Sequence, residues 1–149
     1  MDIRTILLPV DFSEHSAKAL DAATGLARSF GARLELLHCY PPSAAVVGHY
    51  GVVFPVDLER KVREGAIARL EEWVQKATAV GIDARGTVTA APPVSGIAEH
   101  ALETDADLIV MGTRGLSGLK HLLLGSVAER TIRAARCPVL TVHADRDRS

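Results

Sequence analysis

The sequence predicts an α/β domain in which a parallel β-sheet carries helices on both faces. Short runs rich in Val, Ile and Leu alternate with longer segments whose apolar residues recur every three or four positions, a pattern typical of alternating strands and helices. Hydrophobic residues make up 48% of the sequence but aromatic residues only 4%, as expected for helices packed on a buried parallel sheet. The length of 149 residues matches a single domain.

The first strand and the first helix follow from a change of period. Residues 3–10 form an apolar run that predicts a strand. From Ser13 onward the apolar positions recur at helical spacing, and Ser13 is a typical N-cap while Gly31 is a typical helix stop. The residues expected on the inner face of this helix are Ala17, Leu20, Ala23, Leu26, Ala27 and Phe30.

The second strand is predicted over residues 33–39, and a long apolar segment follows it. Residues 40–55 carry several prolines and glycines among valines, Tyr50 and Phe54, without any period. Segments of this length in compact domains are often binding loops. As a binding loop, residues 40–55 are expected to be mobile without ligand and better protected from hydrogen exchange with it. The alternative is that their apolar side chains cover one end of the core.

A long amphipathic helix and an edge strand come next. Apolar residues recur at spacings of three or four up to Val80, and Gly81 ends the pattern. The residues expected to face inward are Leu58, Val62, Ala66, Leu70, Trp73, Ala77 and Val80. Residues 82–89 are partly polar, which favours a strand at the edge of the sheet.

The remaining third of the chain predicts two further helices and two strands. Pro92 and Pro93 precede a short helix whose inner positions would be Ile97, Ala98, Ala101 and Leu102. A strand is predicted over residues 107–111, which are apolar after Asp107, as in the interior of a parallel sheet. A last helix is predicted over residues 126–136 and a last strand over 137–142. We expect one domain over residues 1–143, followed by a frayed charged tail at 144–149.

Composition excludes several classes of function. Lys and Arg total 17 and Asp and Glu 18, a formal charge of −1, so neither nucleic acid nor an anionic membrane is the expected partner. No apolar run approaches the ~18 residues of a membrane span, and the start of the sequence lacks a signal-peptide pattern. We expect a cytoplasmic protein in which Cys39 and Cys137 are reduced. The histidines lack metal-ligand spacing, and there is no Gly-x-Ser-x-Gly nucleophile motif.

The clearest functional signal is a glycine segment directly after the predicted fourth strand, Gly112-x2-Gly115-x9-Gly125-Ser126. Glycine lets backbone N–H groups approach an anion, and a helix N-terminus adds unpaired N–H groups and its dipole. The segment therefore favours phosphate binding, and its glycines have no better common purpose, although glycines elsewhere in the chain occur at turns and caps. The basic residues in or near it are Arg114, Lys120 and His121.

Two structural alternatives apply to these residues. Ser126-x-x-Glu129 has the form of a capping box. Asp11 stands at the exit of the first strand, and ligands of open parallel sheets bind beyond the carboxyl ends of strands. Asp11 is therefore either a partner for ribose hydroxyls or a metal, or an N-cap or turn residue. The glycine segment is not a P-loop, because no Gly-Lys-Ser/Thr follows the glycines. It is not a dinucleotide-binding fingerprint either, because its glycines follow the fourth strand with a different spacing.

Three segments together resemble the universal stress protein family over nearly the whole chain: Pro9-Val10-Asp11-x-Ser13, residues 112–130, and Cys137-Pro-Val-Leu. The pattern Gly-x2-Gly-x9-Gly-Ser resembles the ATP-binding branch of that family. The resemblance implies a five-stranded sheet in the order 3-2-1-4-5, which would place Asp11 and Gly112 at one edge.

The resemblance also implies ATP as the ligand, with Mg²⁺ as a candidate cofactor. Asp11 would lie near the ribose or the magnesium ion, and Val10 and Cys39 near the adenine. The residues that would line the ribose and phosphates are Met111, Gly112, Arg114, Gly115, Gly125, Ser126 and Val127, and Pro9 completes the predicted site. The sequence departs from the family at residues 89–93, where a glycine before a single proline is commoner.

We therefore predict an ATP-binding stress-response sensor or regulator. One alternative is a slow ATPase or nucleotide hydrolase that uses Asp11 and a metal-bound water. Another is a structural, partner-binding dimer with an empty crevice, against which Gly115, Gly125 and Ser126 argue. The apolar residues 138–142 would form an edge strand, and we expect that strand to pair with a second copy in a homodimer.

Overall fold

The computed structural model describes residues 1–42, 56–115 and 124–144. Strands and helices alternate along these residues, as the sequence predicts. The elements are β1 (Thr5–Pro9), α1 (Glu14–Phe30), β2 (Arg33–Tyr40), α2 (Val56–Thr78), β3 (Ala84–Ala90), α3 (Pro93–Glu103), β4 (Leu108–Gly112), α4 (Ser126–Ala134) and β5 (Val139–Val142).

The strands form one five-stranded sheet in the order β3-β2-β1-β4-β5, and every neighbouring pair is parallel. The predicted fold class and strand order are confirmed, and so is the position of β3 at an edge. β1 is central because both of its neighbours pair with it: Ile6 lies opposite Leu34 of β2 and opposite Leu108 of β4.

Both faces of the sheet are buried because successive strand residues point to opposite sides. Ile6 and Leu8 of β1 join a core cluster with residues of α1 and α2. Leu7 belongs to a second cluster with residues of α3 and α4. The helices therefore cover the sheet in two pairs, one pair on each face.

Local signals set the ends of the first two helices. The Ser13 side chain accepts a hydrogen bond of 3.2 Å from the Ser16 N–H, which confirms Ser13 as the N-cap of α1. Gly31 follows α1 with φ of 67°, and Gly81 follows α2 with φ of 86°. Both glycines occupy the left-handed region that other residues avoid.

At the edge of the sheet where the strands begin, Asp107 links the start of β1 to the start of β4. Its Oδ2 atom accepts hydrogen bonds from the backbone N–H groups of Arg4 at 2.9 Å and Thr5 at 3.0 Å. These two bonds lower the pKa of the Asp107 carboxyl. The contact fixes the start of β1 beside the start of β4, which brings the exits of the two strands together at the other edge.

Several sequence-based assignments are wrong in detail. β1 begins at Thr5 rather than at residue 3, and β5 begins at Val139 rather than at 137. The residues predicted to face inward that are exposed are Ala17, Phe30, Leu58, Val62, Val80 and Leu102. Most of them lie near helix ends. Periodicity predicts which face of a helix is apolar, but it does not predict how far the sheet extends beneath that face. Trp73 is half-buried at the margin of the core.

Some predictions fall outside the described residues. They concern residues 43–55 of the expected binding loop, Lys120, His121, and residues 145–149 of the expected tail. Among the residues that the structure does describe, no helix is long and apolar enough to cross a membrane.

Candidate functional site

A cavity of about 460 Å³ opens at the carboxyl edge of the sheet, beside the exits of β1 and β4. From these neighbouring strands the chain leaves to opposite faces, to α1 after β1 and to α4 after β4. Such a divergence leaves a crevice beyond the strand ends, which is where open parallel sheets bind ligands.

The cavity brings together every residue predicted for the site. These residues are Pro9, Val10, Asp11, Cys39, Met111, Gly112, Arg114, Gly115, Gly125, Ser126 and Val127. Six further residues line the cavity that were not predicted from the sequence, namely Ser16, Leu37, Pro93, Ile97, Thr113 and Ala128. Leu37 could have been found from its spacing of two from Cys39, which places both side chains on one face of β2.

Asp11 is held in a tight turn between β1 and α1. Its Oδ1 atom accepts hydrogen bonds from the Ser13 N–H at 3.0 Å and from the Ser16 hydroxyl at 2.6 Å. The Ser16 Oγ atom accepts in turn from the Asp11 N–H at 3.1 Å. Asp11 is therefore a turn residue and not an N-cap, and the same contacts fix its carboxylate at the wall of the cavity.

Each glycine of the segment also has a packing role, which the spacing of the glycines does not predict. A Cβ on Gly112 would lie 2.8 Å from the Cβ of His15, and one on Gly115 would overlap Asp11 Oδ2. A Cβ on Gly125 would lie 3.0 Å from the backbone oxygen of Thr113. These glycines allow β4, the segment after it and the start of α4 to pack against the β1–α1 turn and against each other.

The start of α4 presents backbone N–H groups at the cavity. Gly125 is its N-cap, with φ of −73° and ψ of 160°, and offers no side-chain oxygen to the first turn. The capping-box alternative is therefore wrong, because Ser126 is the first helical residue and does not cap. The first N–H groups of an α-helix have no partner within the helix, and Ser126, Val127 and Ala128 all line the cavity.

Two buried polar groups beside these N–H groups also lack partners. Thr113 is 0% exposed, and its Oγ1 atom has no hydrogen-bond partner among the described residues. The same holds, within the described part of the chain, for the buried Nε atom of Arg114. Buried polar groups are normally paired, so this end of the cavity is suited to a polar, anionic ligand.

The opposite end of the cavity is apolar and includes Cys39. Burial raises the pKa of the Cys39 thiol to about 11, so the thiol is neutral near pH 7 and acts as a small apolar wall. A Cβ on Gly96 would lie 2.7 Å from Cys39 Sγ, so α3 approaches β2 closely here.

The segment that departs from the family pattern forms the adjoining wall. The Ala91 N–H donates to the Tyr40 carbonyl at 2.9 Å. Pro92 is the N-cap of α3 and Pro93 its first residue, a position where proline's missing N–H costs nothing. Pro93 and Ile97 then line the cavity. The double proline therefore starts α3 and contributes Pro93 to the wall of the cavity.

The fold and the site define a doubly wound α/β protein with a two-ended ligand cavity at the switch point of its sheet. Residues 2–143 match the Universal stress protein family, and the chain belongs to that family. The family resemblance predicted from the sequence is confirmed.

Known relatives cover almost the whole chain. Universal stress protein YxiE of Bacillus subtilis is 36% identical over 143 residues, which cover 92% of this chain and 97% of that protein. The solved structure of MJ0577, a protein of Methanocaldococcus jannaschii, has a TM-score of 0.85 at 28% identity and covers 99% of this chain and 100% of its own. A universal stress protein solved in complex with cAMP has a TM-score of 0.70 at 29% identity, with 96% and 98% of the chains covered.

Proposed function

We propose that this chain binds an adenine nucleotide, ATP first of all, and acts as a stress-response sensor or regulator whose state depends on occupancy of the cavity. The observation that carries the proposal is that one end of the cavity is apolar, whereas polar groups at the other end have no hydrogen-bond partner among the residues that the structure describes. These polar groups are the first N–H groups of α4, Arg114 Nε and Thr113 Oγ1. The related protein solved with cAMP supports a nucleotide as the class of ligand.

Each part of a nucleotide has a matching part of the cavity. The base fits the apolar end formed by Val10 and Cys39. The phosphates fit the start of α4, where N–H groups and the helix dipole favour negative charge. Arg114 adds a charge-assisted contact. Asp11, fixed between these two ends, accepts hydrogen bonds from ribose hydroxyls.

Mg²⁺ fits this site only together with the phosphates. No group of three or more His, Cys, Asp or Glu side chains that could hold a metal ion occurs among residues 1–42, 56–115 and 124–144. Mg²⁺ keeps several waters and takes one or two carboxylates plus phosphate oxygens. Asp11 is the carboxylate that lines the cavity, so the metal ion would enter as part of Mg-ATP.

The arrangement favours a sensor over a nucleotide hydrolase. Fast phosphoryl transfer needs a positioned cation, a fixed metal and a group that aligns the attacking water. The Asp11 carboxylate is tied into the turn by Ser13 and Ser16, which suits holding a ligand better than exchanging a proton. Slow hydrolysis that uses Asp11 and a metal-bound water remains the second candidate, and a structural dimer with an empty crevice is the third.

We place the sensor in the cytoplasm, as a homodimer paired through β5, with residues 1–143 as its nucleotide-binding domain. β5 is an edge strand, and its Leu140 side chain is 41% exposed. Edge strands with open hydrogen-bonding groups are normally covered or paired. Pairing of two β5 strands would also cover Leu140.

The first test is the identity and affinity of the ligand. Mass spectrometry of small molecules released when freshly purified protein is denatured should detect an adenine nucleotide. Calorimetric titration with Mg-ATP should give binding that Arg114→Gln weakens by about tenfold, the effect of losing one charge-assisted contact.

The matched control is Arg133→Gln, because Arg133 is exposed on α4 and pairs with Glu129 at 3.0 Å. This variant should bind Mg-ATP as the parent does. Failure of the parent to bind ATP, ADP or AMP at millimolar concentration would reject the proposed ligand.

A further inference from the structure

A cluster of ring and cationic side chains lies on the face of the sheet that α1 and α2 cover. The Phe12 ring centroid is 4.6 Å from that of His38 and 5.5 Å from that of Trp73. The Arg69 guanidinium carbon lies 4.2 Å above the Phe12 ring. We call Phe12, His38, Arg69 and Trp73 the Phe12 cluster. It joins the β1–α1 turn to β2 and α2.

The backbone of Phe12 is unusual. Its φ is 63°, in the left-handed region, where the backbone of a bulky residue is strained. Such a conformation persists only where surrounding contacts hold it. At Phe12 the surrounding contacts include the ring contacts of the Phe12 cluster. Phe12 also separates Asp11 from Ser13, the residues that form the fixed turn at the cavity wall.

A hydrogen bond connects the same cluster to the other side of the turn. The His38 ring nitrogen Nδ1 donates to the Val10 carbonyl at 2.8 Å. The Val10 N–H donates to the Leu37 carbonyl, also at 2.8 Å. Val10 is therefore bonded to β2 through both its N–H and its carbonyl, and it lines the cavity beside Asp11.

We infer that Phe12 and His38 are positioning residues for Asp11. His38 fixes the backbone before Asp11, and the Phe12 ring fixes the backbone after it. The Asp11 carboxylate is thereby set against Gly115, where a single added carbon would overlap it. The nucleotide side of this inference rests on the proposed function, whereas the orientation of Asp11 can be measured without any ligand.

The His38 bond is tested by a pair of variants with the same branched shape. Asn carries an N–H near the place of His38 Nδ1, and Leu carries a methyl group there, while both lose the ring contact with Phe12. In the unliganded protein, His38→Leu should speed hydrogen exchange of the Ser13 amide, which donates to Asp11, by about tenfold. His38→Asn should stay within about threefold of the parent.

Phe12→Gly separates positioning from general stability. Glycine adopts a φ of 63° without strain, so a merely structural residue would be replaced here at little cost to the turn. If Phe12 positions Asp11, the substitution should disturb the turn. Hydrogen exchange of the Ser13 amide should then rise, and the affinity for Mg-ATP should fall by about tenfold. His38→Leu should weaken Mg-ATP binding to the same extent, and His38→Asn should restore it.

The two proposals fail in different ways. If the parent binds no nucleotide, the proposed function fails, and the Ser13 exchange rates in the unliganded variants still decide the positioning role. If Ser13 exchange is unchanged in His38→Leu and Phe12→Gly, the positioning role is overturned even when the parent binds ATP. If His38→Asn behaves as His38→Leu does, the hydrogen bond to Val10 is not what holds Asp11, and the role assigned to His38 is overturned.

Discussion

One added methyl group at Gly125 tests the packing of the site. The backbone angles of Gly125 are open to alanine, so Gly125→Ala adds no backbone strain. Its Cβ would lie 3.0 Å from the Thr113 oxygen and 3.4 Å from the Arg114 Cα, the first closer than ordinary van der Waals contact. The Thr113 peptide cannot yield easily, since its carbonyl accepts from the Gly125 N–H at 2.6 Å and its N–H donates to Val142 at 3.0 Å.

The expected cost is about 1–2 kcal/mol of unfolding free energy, from overpacking and from the poor N-cap that alanine makes. For a chain of 149 residues this corresponds to a fall in Tm of about 2–8 °C. Because the N–H groups of α4 move with Gly125, affinity for Mg-ATP should fall by about tenfold, or roughly 1.4 kcal/mol.

Gly25→Ala is the matched control in the same chain. Gly25 lies exposed inside α1, and an added Cβ there meets nothing within 4 Å. Alanine should raise stability by about 0.5–1 kcal/mol, because glycine loses more backbone freedom on folding. Denaturant unfolding and calorimetry measure both variants. A Gly125→Ala protein as stable as Gly25→Ala, with the affinity of the parent, would refute the packing described for this site.

Three further predictions concern assembly, turnover and pH. Light scattering at micromolar concentration should give the mass of a dimer for the parent and of a monomer for Leu140→Lys, because the lysine would place charge on the exposed side of β5. A dimer in both proteins would exclude β5 as the interface. Phosphate release from excess Mg-ATP should stay below about one per second, and a faster rate that Asp11→Ala abolishes would make the protein an enzyme. The pKa of the Cys39 thiol is raised from 9.0 to about 11, so the folded protein keeps this proton to higher pH than the unfolded chain does. Stability from the neutral thiol is then complete below about pH 9 and is lost as the pH rises toward 11. Cys39→Ala should show a smaller alkaline loss in denaturant unfolding, and an equal loss would contradict the assignment.

The glycine segment illustrates how far sequence reasoning about the site could go. Spacing placed Gly112, Gly115 and Gly125 at one end of the sheet, and the structure places them there. The spacing did not predict the packing that requires glycine at these positions. The groups that crowd the glycines come from distant parts of the chain: His15 for Gly112 and Asp11 for Gly115. A sequence pattern contains no information about which side chain faces a glycine across the fold.

Ser126 and Phe12 make the same point for local signals. Ser126-x-x-Glu129 satisfies the capping pattern, but α4 begins at Ser126 itself because the Gly125 N–H is bonded back to Thr113. Phe12 gave no signal at all in the sequence. Its left-handed backbone depends on ring contacts with His38 and Trp73, which lie on β2 and α2.

The sequence by itself determined the α/β class, the order of helices and strands, and eleven of the residues that line the cavity. These follow from hydrophobic periodicity, from local capping residues and from motif resemblance, all of which act over short stretches of chain. The tertiary structure decided which helix positions are buried, why each glycine is required, and how the Asp11 carboxylate is held. Those features depend on atoms brought together by strand pairing and helix packing, such as His38 and Val10, and distances of that kind exist only in the folded chain.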